Sequence, residues 1–355
     1  MNHNGRKVRL LHILIVATSM VYSPTSQGGI DSEYLLFPFL GANFRSDLSS
    51  HSLSHNDDYN YGVDIFVASE YRNFLFLGEL LLSKHEQHIE RLQLGWTAGD
   101  SKIWFGRFHN PIGYWNSQFH HGANLQTSIS RPSIVEFEHD DGILPMHLTG
   151  LLVEGVLERD NQGLGYAFAV AVGPELSDKL EALDVLNPGS GSQDLSLTFA
   201  LYHEPVLYSA TRYGLFVNYN EIPAVGIGID EVHQVNAGVY GRWDHQPWRF
   251  TGSMFYLHNS LQQVNLTPTD DFVSGYFQAE NNLDDQWTIF GRVEWTFAGE
   301  DDIYLALLPH YVKDRVLGGF RLDAFGRHSF KLEISGNRVQ GDNFGQVMLQ
   351  WDAMF

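Results

Sequence analysis

An all-β chain closing into a transmembrane antiparallel barrel of sixteen strands is predicted by three observations. Apolar and polar residues alternate over many short segments, no stretch beyond the amino terminus is apolar enough for a spanning helix, and the 355 residues include no cysteine. A period of two gives a strand two faces that meet two environments. Because only alternate side chains of a barrel strand meet lipid, a barrel tolerates a chain that is slightly polar on average.

At the amino terminus, Arg6, Lys7 and Arg9 precede an apolar run over residues 10–21, broken by His12, Thr18 and Ser19. Small and polar residues follow, Ser23-Pro24-Thr25-Ser26-Gln27. This is the layout of a secretory signal peptide, and the run is too short to span a bilayer. A signal is therefore expected over residues 1–26, with the barrel over 27–355. Without cysteine there is no lipoprotein anchor, disulfide or covalently attached c-type haem in this chain.

Three segments alternate most clearly. In 234–244, Val235, Ala237, Val239 and Trp243 oppose Gln234, Asn236, Tyr240, Arg242 and Asp244. In 287–297, Trp287, Ile289, Val293, Trp295 and Phe297 oppose Thr288, Phe290, Arg292, Glu294 and Thr296. In 330–337, Phe330, Leu332 and Ile334 oppose Lys331, Glu333, Ser335 and Asn337. Aromatic residues bracket these apolar faces, which favours lipid on one side and water on the other. Less regular strands are expected over 33–45, 60–71, 72–83, 88–98, 101–109, 146–158, 163–173, 194–204, 212–221, 247–259, 271–282, 302–313 and 315–324.

The last strand, 346–355, sets Val347, Leu349, Trp351, Ala353 and Phe355 against Gln346, Met348, Gln350, Asp352 and Met354. Its terminal Phe resembles the sorting signal of bacterial outer-membrane barrels. These segments number seventeen, whereas a closed barrel with both termini on one side needs an even number. One segment among residues 298–328 is therefore expected to be spurious, leaving sixteen strands, with eighteen as the alternative. Ala98-Gly99-Asp100 and Asp244-His245-Gln246-Pro247 read as short turns. Long polar connections lie at 46–59, 110–145, 174–193 and 260–270, and the longest, 110–145, is the third on the outer side. Neither an internal repeat nor a linker to a second domain is visible.

Gly106-Arg107-Phe108-His109-Asn110-Pro111-Ile112-Gly113 resembles a stretch of the phosphate-selective porin group. That resemblance implies a strand end followed by a loop folded into the pore of a passive outer-membrane channel for small hydrophilic solutes. The selectivity of that group rests on Lys and Arg clusters, and it is not carried over to this acid-rich chain. The residues also have a direct physical reading. Pro111 removes a ladder donor and Gly113 permits a sharp bend, so the strand must stop here. Tyr114, Trp115 and Phe119 are too large and apolar for a solvated loop, so packing against the inner wall is expected.

The candidate constriction residues are Arg107, Arg131, Glu136, Glu138, Asp140, Asp141, Arg242, Arg292 and Arg321. Basic wall residues facing an acidic loop would set a transverse field across a pore. Local pairing with Asp244, Glu294, Asp323 and Glu333 is the competing role. His109, His120, His121, His139 and His147 cluster around the loop, but their spacing matches no metal signature, so no metal or other cofactor is assigned. A formal net charge of −20 disfavours nucleic acid. Outer-membrane lipid, lipopolysaccharide bridged by divalent cations and small hydrophilic solutes are the expected partners, with a homotrimer as the candidate assembly. No Gly-x-Ser-x-Gly elbow or phosphate-cradling loop is present, and no enzymatic activity is expected. The alternative function is a barrel sheath around a partner such as an electron-transfer cytochrome. If the terminal Phe acts as the sorting signal, deleting Phe355 lowers the yield of heat-modifiable barrel. A wild-type yield on semi-native gels contradicts that reading.

Overall fold

A computed structural model describes residues 32–48, 58–85, 87–119, 125–189, 191–207, 209–264, 266–299 and 302–355. The expected signal over 1–26, together with His120 and His121, lies outside them. The alternating segments form β1 (Ser32–Asp47), β2 (Asp58–Tyr71), β3 (Phe74–Ser83), β4 (Gln87–Ala98), β5 (Ser101–His109), β6 (His147–Arg159) and β7 (Gln162–Val172). A small hairpin of β8 (Glu175–Leu176) and β9 (Leu180–Glu181) then stands apart from the barrel. The barrel resumes with β10 (Leu195–Glu204), β11 (Arg212–Pro223), β12 (Glu231–His245), β13 (Trp248–Gln262), β14 (Thr269–Asn282) and β15 (Trp287–Phe297). It ends with β16 (Asp314–Ala324), β17 (His328–Val339) and β18 (Asp342–Met354).

Sixteen of these strands form one closed sheet in which each pairs antiparallel with the next barrel strand. The first and last close the ring, with Ala42 opposite Trp351 and Phe44 opposite Leu349. Closure leaves no unpaired sheet edge, which is what hydrocarbon demands of a β-structure.

The spurious segment is 302–313. It begins with a short helix, Ile303–Ala306, whose amino end is capped by Asp302 accepting from the Leu305 N–H at 2.8 Å. Tyr304, Leu305 and Leu308 are buried together. Their spacing of one and three to four suits a helical turn and breaks the period of two that a strand needs.

The outer surface follows the alternation. Val239 is 51% exposed and Val293 43%, whereas Arg292 on the inner face of the same strand is 1% exposed. Trp243, Phe250 and Phe277 stack in sequence at 5.5 and 5.8 Å, forming part of an aromatic belt near the end that carries the termini. The inner surface is not uniformly polar. From β11 to β14 it carries Phe216, Phe255, Leu257, Phe272 and Tyr276, all buried. These side chains need an apolar partner inside the barrel, and the loop between β5 and β6 supplies it. If the outer face meets lipid, Val293→Arg costs about 2–4 kcal/mol in unfolding measurements in bilayers, and Asn43→Arg on the inner face of β1 costs far less. Equal costs at the two sites contradict the assignment of faces.

Candidate functional site

The strand that enters the loop ends where Pro111 interrupts pairing. Gly113 adopts φ 72°, and a Cβ there would lie 3.2 Å from the Phe255 ring. Only glycine allows the chain to turn inward this close to the wall. A short helix, Gly113–Gln118, follows, with Tyr114, Trp115 and Asn116 buried. Trp115 is fully buried and meets Tyr276 edge to face at 5.9 Å. Ile112, Ile134, Val135, Ile143, Leu144 and Met146 join it in one cluster with the apolar wall. Asn110 ties the loop's two ends, donating to Pro145 O at 2.9 Å and accepting from Thr198 on β10 at 2.7 Å.

The opposite side of the loop is held by charge. Residues 127–133 turn their backbone and hydroxyls toward carboxylates on three strands. Glu280 accepts from Thr127 Oγ1 at 2.8 Å, Glu333 from the Ile129 N–H at 2.9 Å, and Glu294 from the Ser133 N–H and hydroxyl at 2.7 and 2.6 Å. Arg292 donates to Ser128 Oγ, Ser130 O and Arg131 O at 2.9–3.0 Å and pairs with Glu294 at 2.8 Å. Arg315 also donates to Arg131 O, at 2.9 Å. Two outer loops cover the inserted one. Tyr304 donates to Ile143 O at 2.7 Å, and Leu176 and Leu180 of the β8–β9 hairpin are fully buried.

The loop fills the side of the barrel formed by β10–β14 and leaves space along β16–β18 and β1–β3. A cavity of about 620 Å³ occupies that space, lined by Asn43, Arg45, Asn60, Asp64, Glu79, Arg315, Gln346 and Gln350 from the wall and by Arg131, Glu136, Asp140 and Asp141 from the loop. A second cavity, of about 930 Å³, opens toward the end with the termini and includes Arg249, Arg321, Asp323 and His328. Gln126 borders the first, and its neighbours Leu125 and Thr127 border the second.

The nine candidate constriction residues therefore divide. Arg131, Glu136, Asp140 and Asp141 share the first cavity and Arg321 borders the second, while Arg107, Glu138, Arg242 and Arg292 line neither. Several of the arginines have local partners. Arg292 and Glu294 act on the loop's backbone, because inserted peptide groups need partners before any field across a pore can be built. Arg321 pairs with Asp323 at 2.7 Å and donates to Gln126 O at 2.9 Å. Arg242 reaches Thr251 and Asp244 and lies 5.4 Å from the Tyr114 and Phe119 rings. Arg107 donates to Leu183 O at 2.6 Å, joining the outer loop to the rim. It follows Gly106, whose φ of 129° interrupts the strand's alternation. Glu138 turns to His147, with Oε2 2.7 Å from Nδ1.

Sequence reasoning did not single out Glu280 or Glu90. Glu280 lies on the inner face of β14, a signal legible only once the loop is known to reach it. Glu90 is an extra residue in β4, since Glu79 pairs with Arg91 and Leu80 with Ile89. Such a bulge sets neighbouring side chains, here Glu90 and Arg91, on one buried face. Charge also shapes Glu136. Burial and then Asp140 push its carboxyl up to about 7, against the opposing pull of Arg131 and Arg315.

No family model and no curated protein matches this chain. Among solved structures, an OmpT loop-deletion mutant of Vibrio cholerae aligns with a TM-score of 0.61 at 11% identity, covering 91% of this chain and 99% of that one. The anion-selective porin of Comamonas acidovorans aligns at 0.60 and 9% identity, covering 92% and 100%. The outer-membrane channel DcaP of Acinetobacter baumannii aligns at 0.60 and 11%, covering 94% and 99%. The fold is thus that of outer-membrane porin barrels. Removing the clamp in Arg292→Ala leaves buried acceptors and Glu294 short of partners and destabilises the protein by about 3–5 kcal/mol. Protease cleavage within 110–146 of the otherwise folded barrel then appears. Wild-type stability and resistance contradict the clamp.

Proposed function

We propose that the protein is an outer-membrane channel through which small hydrophilic solutes and ions diffuse passively, with cations favoured. The observation that carries this reading is the composition of the open space beside the loop. Asp58, Asp64, Glu79, Glu90, Glu136, Asp140, Asp141 and Asp352 border it, against Arg45, Arg131 and Arg315. Eight carboxyl groups face three guanidiniums; Glu79 and Asp352 also pair with Arg91 and Lys331 behind the lining, and the remaining acidic excess gives a negative potential that concentrates cations and repels anions. Passage past Gln126 would join this cavity to the one at the other end.

Phosphate selectivity is disfavoured by the same lining, which lacks the clustered lysines an anion would need. A sheath around a protein partner would need a clear lumen, and the loop packs its apolar cluster across that space against β11–β14. The apolar exterior with its aromatic belt supports residence in lipid, and a trimeric form of the Vibrio cholerae OmpT barrel, aligning at a TM-score of 0.58, makes a homotrimer the assembly to test first. No catalytic role is assigned to any residue.

Joint replacement Glu136→Gln, Asp140→Asn and Asp141→Asn lowers cation preference, read as a smaller reversal potential in a salt gradient across a planar bilayer. Exposed charges are screened within about 8–10 Å at physiological salt, so the change is largest at low ionic strength. Because Glu136 titrates at about 7, wild-type cation preference rises as pH increases through that value and falls below it. In Glu136→Gln the neutral-pH component of this rise disappears. An unchanged reversal potential in the triple variant contradicts the proposal.

A further inference from the structure

We propose that Glu90, His109 and His147 form a binding site for a divalent transition-metal ion, with Zn²⁺ as the best match, set in the wall beside the channel and linked to the inward loop by Glu138. One ligand atom from each of the three residues lies within 4.8 Å of the others, and all three residues are buried. Glu90 Oε2 stands 2.7 Å from His147 Nε2 and 4.0 Å from His109 Nε2. Two imidazoles and a carboxylate are a donor set that zinc favours, with the fourth position left to water. Tetrahedral zinc with bonds of about 2.0–2.1 Å holds its ligand atoms roughly 3.3 Å apart, so binding draws His109 inward and opens the Glu90–His147 contact slightly.

Two independent observations mark the cluster as a site. Glu90 Oε1 is buried with no hydrogen-bond partner, a state that normally costs free energy and that an ion would relieve. Glu138 meets the far nitrogen of His147, placing Oε2 2.7 Å from Nδ1, while Oε1 accepts from the Met146 and His147 N–H groups at 2.6 and 2.8 Å. A carboxylate fixed in this way orients the ring so that Nε2, beside Glu90 Oε2, faces the metal position, and raises its basicity. The bulge in β4 puts Glu90 on the buried face where the histidines of β5 and β6 meet it. Phe137 stacks on the His147 ring at 4.9 Å and gives the site an apolar side. Entry is from the channel, since Glu90 borders the cavity between the loop and β1–β3. The charges around the cluster are mixed, with the carboxyl groups of Glu90, Glu138 and Asp64 near the guanidiniums of Arg91, Arg107 and Arg131, and Arg107 donates to Glu90 O at 3.3 Å. An ion here would join β4, β5 and β6, and through Glu138 it would hold the descending end of the loop.

Glu138 is a positioning residue and not a ligand. The test uses tag-free, detergent-folded barrel titrated with Zn²⁺ and, separately, Co²⁺. One Zn²⁺ per barrel binds saturably, and Co²⁺ gives the intense visible bands of four-coordinate cobalt. His109→Gln and His147→Gln lose this ion, and Glu138→Gln weakens it about 10–100-fold while keeping the cobalt spectrum. Heat-modifiability on gels shows that each variant is folded, and the wild-type cobalt spectrum decides the case without any variant. Absence of saturable binding, a spectrum of six-coordinate aqueous cobalt, or undiminished binding in folded His109→Gln overturns the proposal. Conductance is not a readout here, so failure leaves the channel reading standing.

Discussion

Bringing a long loop inside a β-barrel takes its backbone out of water, and every N–H and C=O then needs a partner on the wall. Glu333 meets that need at the Ile129 N–H, and Arg292 and Glu294, adjacent on the inner face of β15, meet it at Ser130 O, Arg131 O and the Ser133 N–H. Each is buried and each would be costly alone. Together they neutralise one another at 2.8 Å and still have hydrogen-bonding capacity for the loop. The insertion of the loop, the position of the open space and the charge that lines it all depend on this pair.

The other half of the loop is held by a different force. Ile112, Trp115, Ile143 and Leu144 bury apolar surface against the aromatic wall of β11–β14. That contact contributes at roughly 25 cal/mol per Å² of apolar surface buried, but it is not directional. The charged clamp gives the loop its register. With one side packed and the other pinned, the remaining space is pushed to β16–β18 and β1–β3, where inner-face residues such as Asn43, Asn60, Gln346 and Gln350 are polar and water can remain.

The strand pattern was legible because lipid imposes a strict period of two on the outer face. The 287–297 segment shows this well, with Val293 outside and Arg292 inside. The spurious strand at 302–313 was harder, since Tyr304, Leu305, Leu308 and Tyr311 supply enough apolar residues for either element. Tyr114 and Trp115 pointed to a packed loop because solvated loops seldom carry such side chains. The partners of single charges could not be read. Arg292 and Glu138 are ordinary lumen or loop residues in sequence, and their roles follow from contacts across 161–164 and 9 positions respectively. Glu90 was hidden for a related reason. A bulge shifts the parity of a strand, so the two-residue period no longer marks which side chains face inward.

The position of the loop within the barrel, bounding an open path, can be tested with one thiol in a chain that has none of its own. Asp140 lines the cavity, and its side chain is 59% exposed. The Asp140→Cys protein, reconstituted in a planar bilayer, is treated with a charged, membrane-impermeant thiol reagent during single-channel recording. A stepwise, irreversible fall in conductance is predicted, with no change in the cysteine-free parent. A modified cysteine that leaves conductance unaltered would place the loop outside the conducting path and contradict the account.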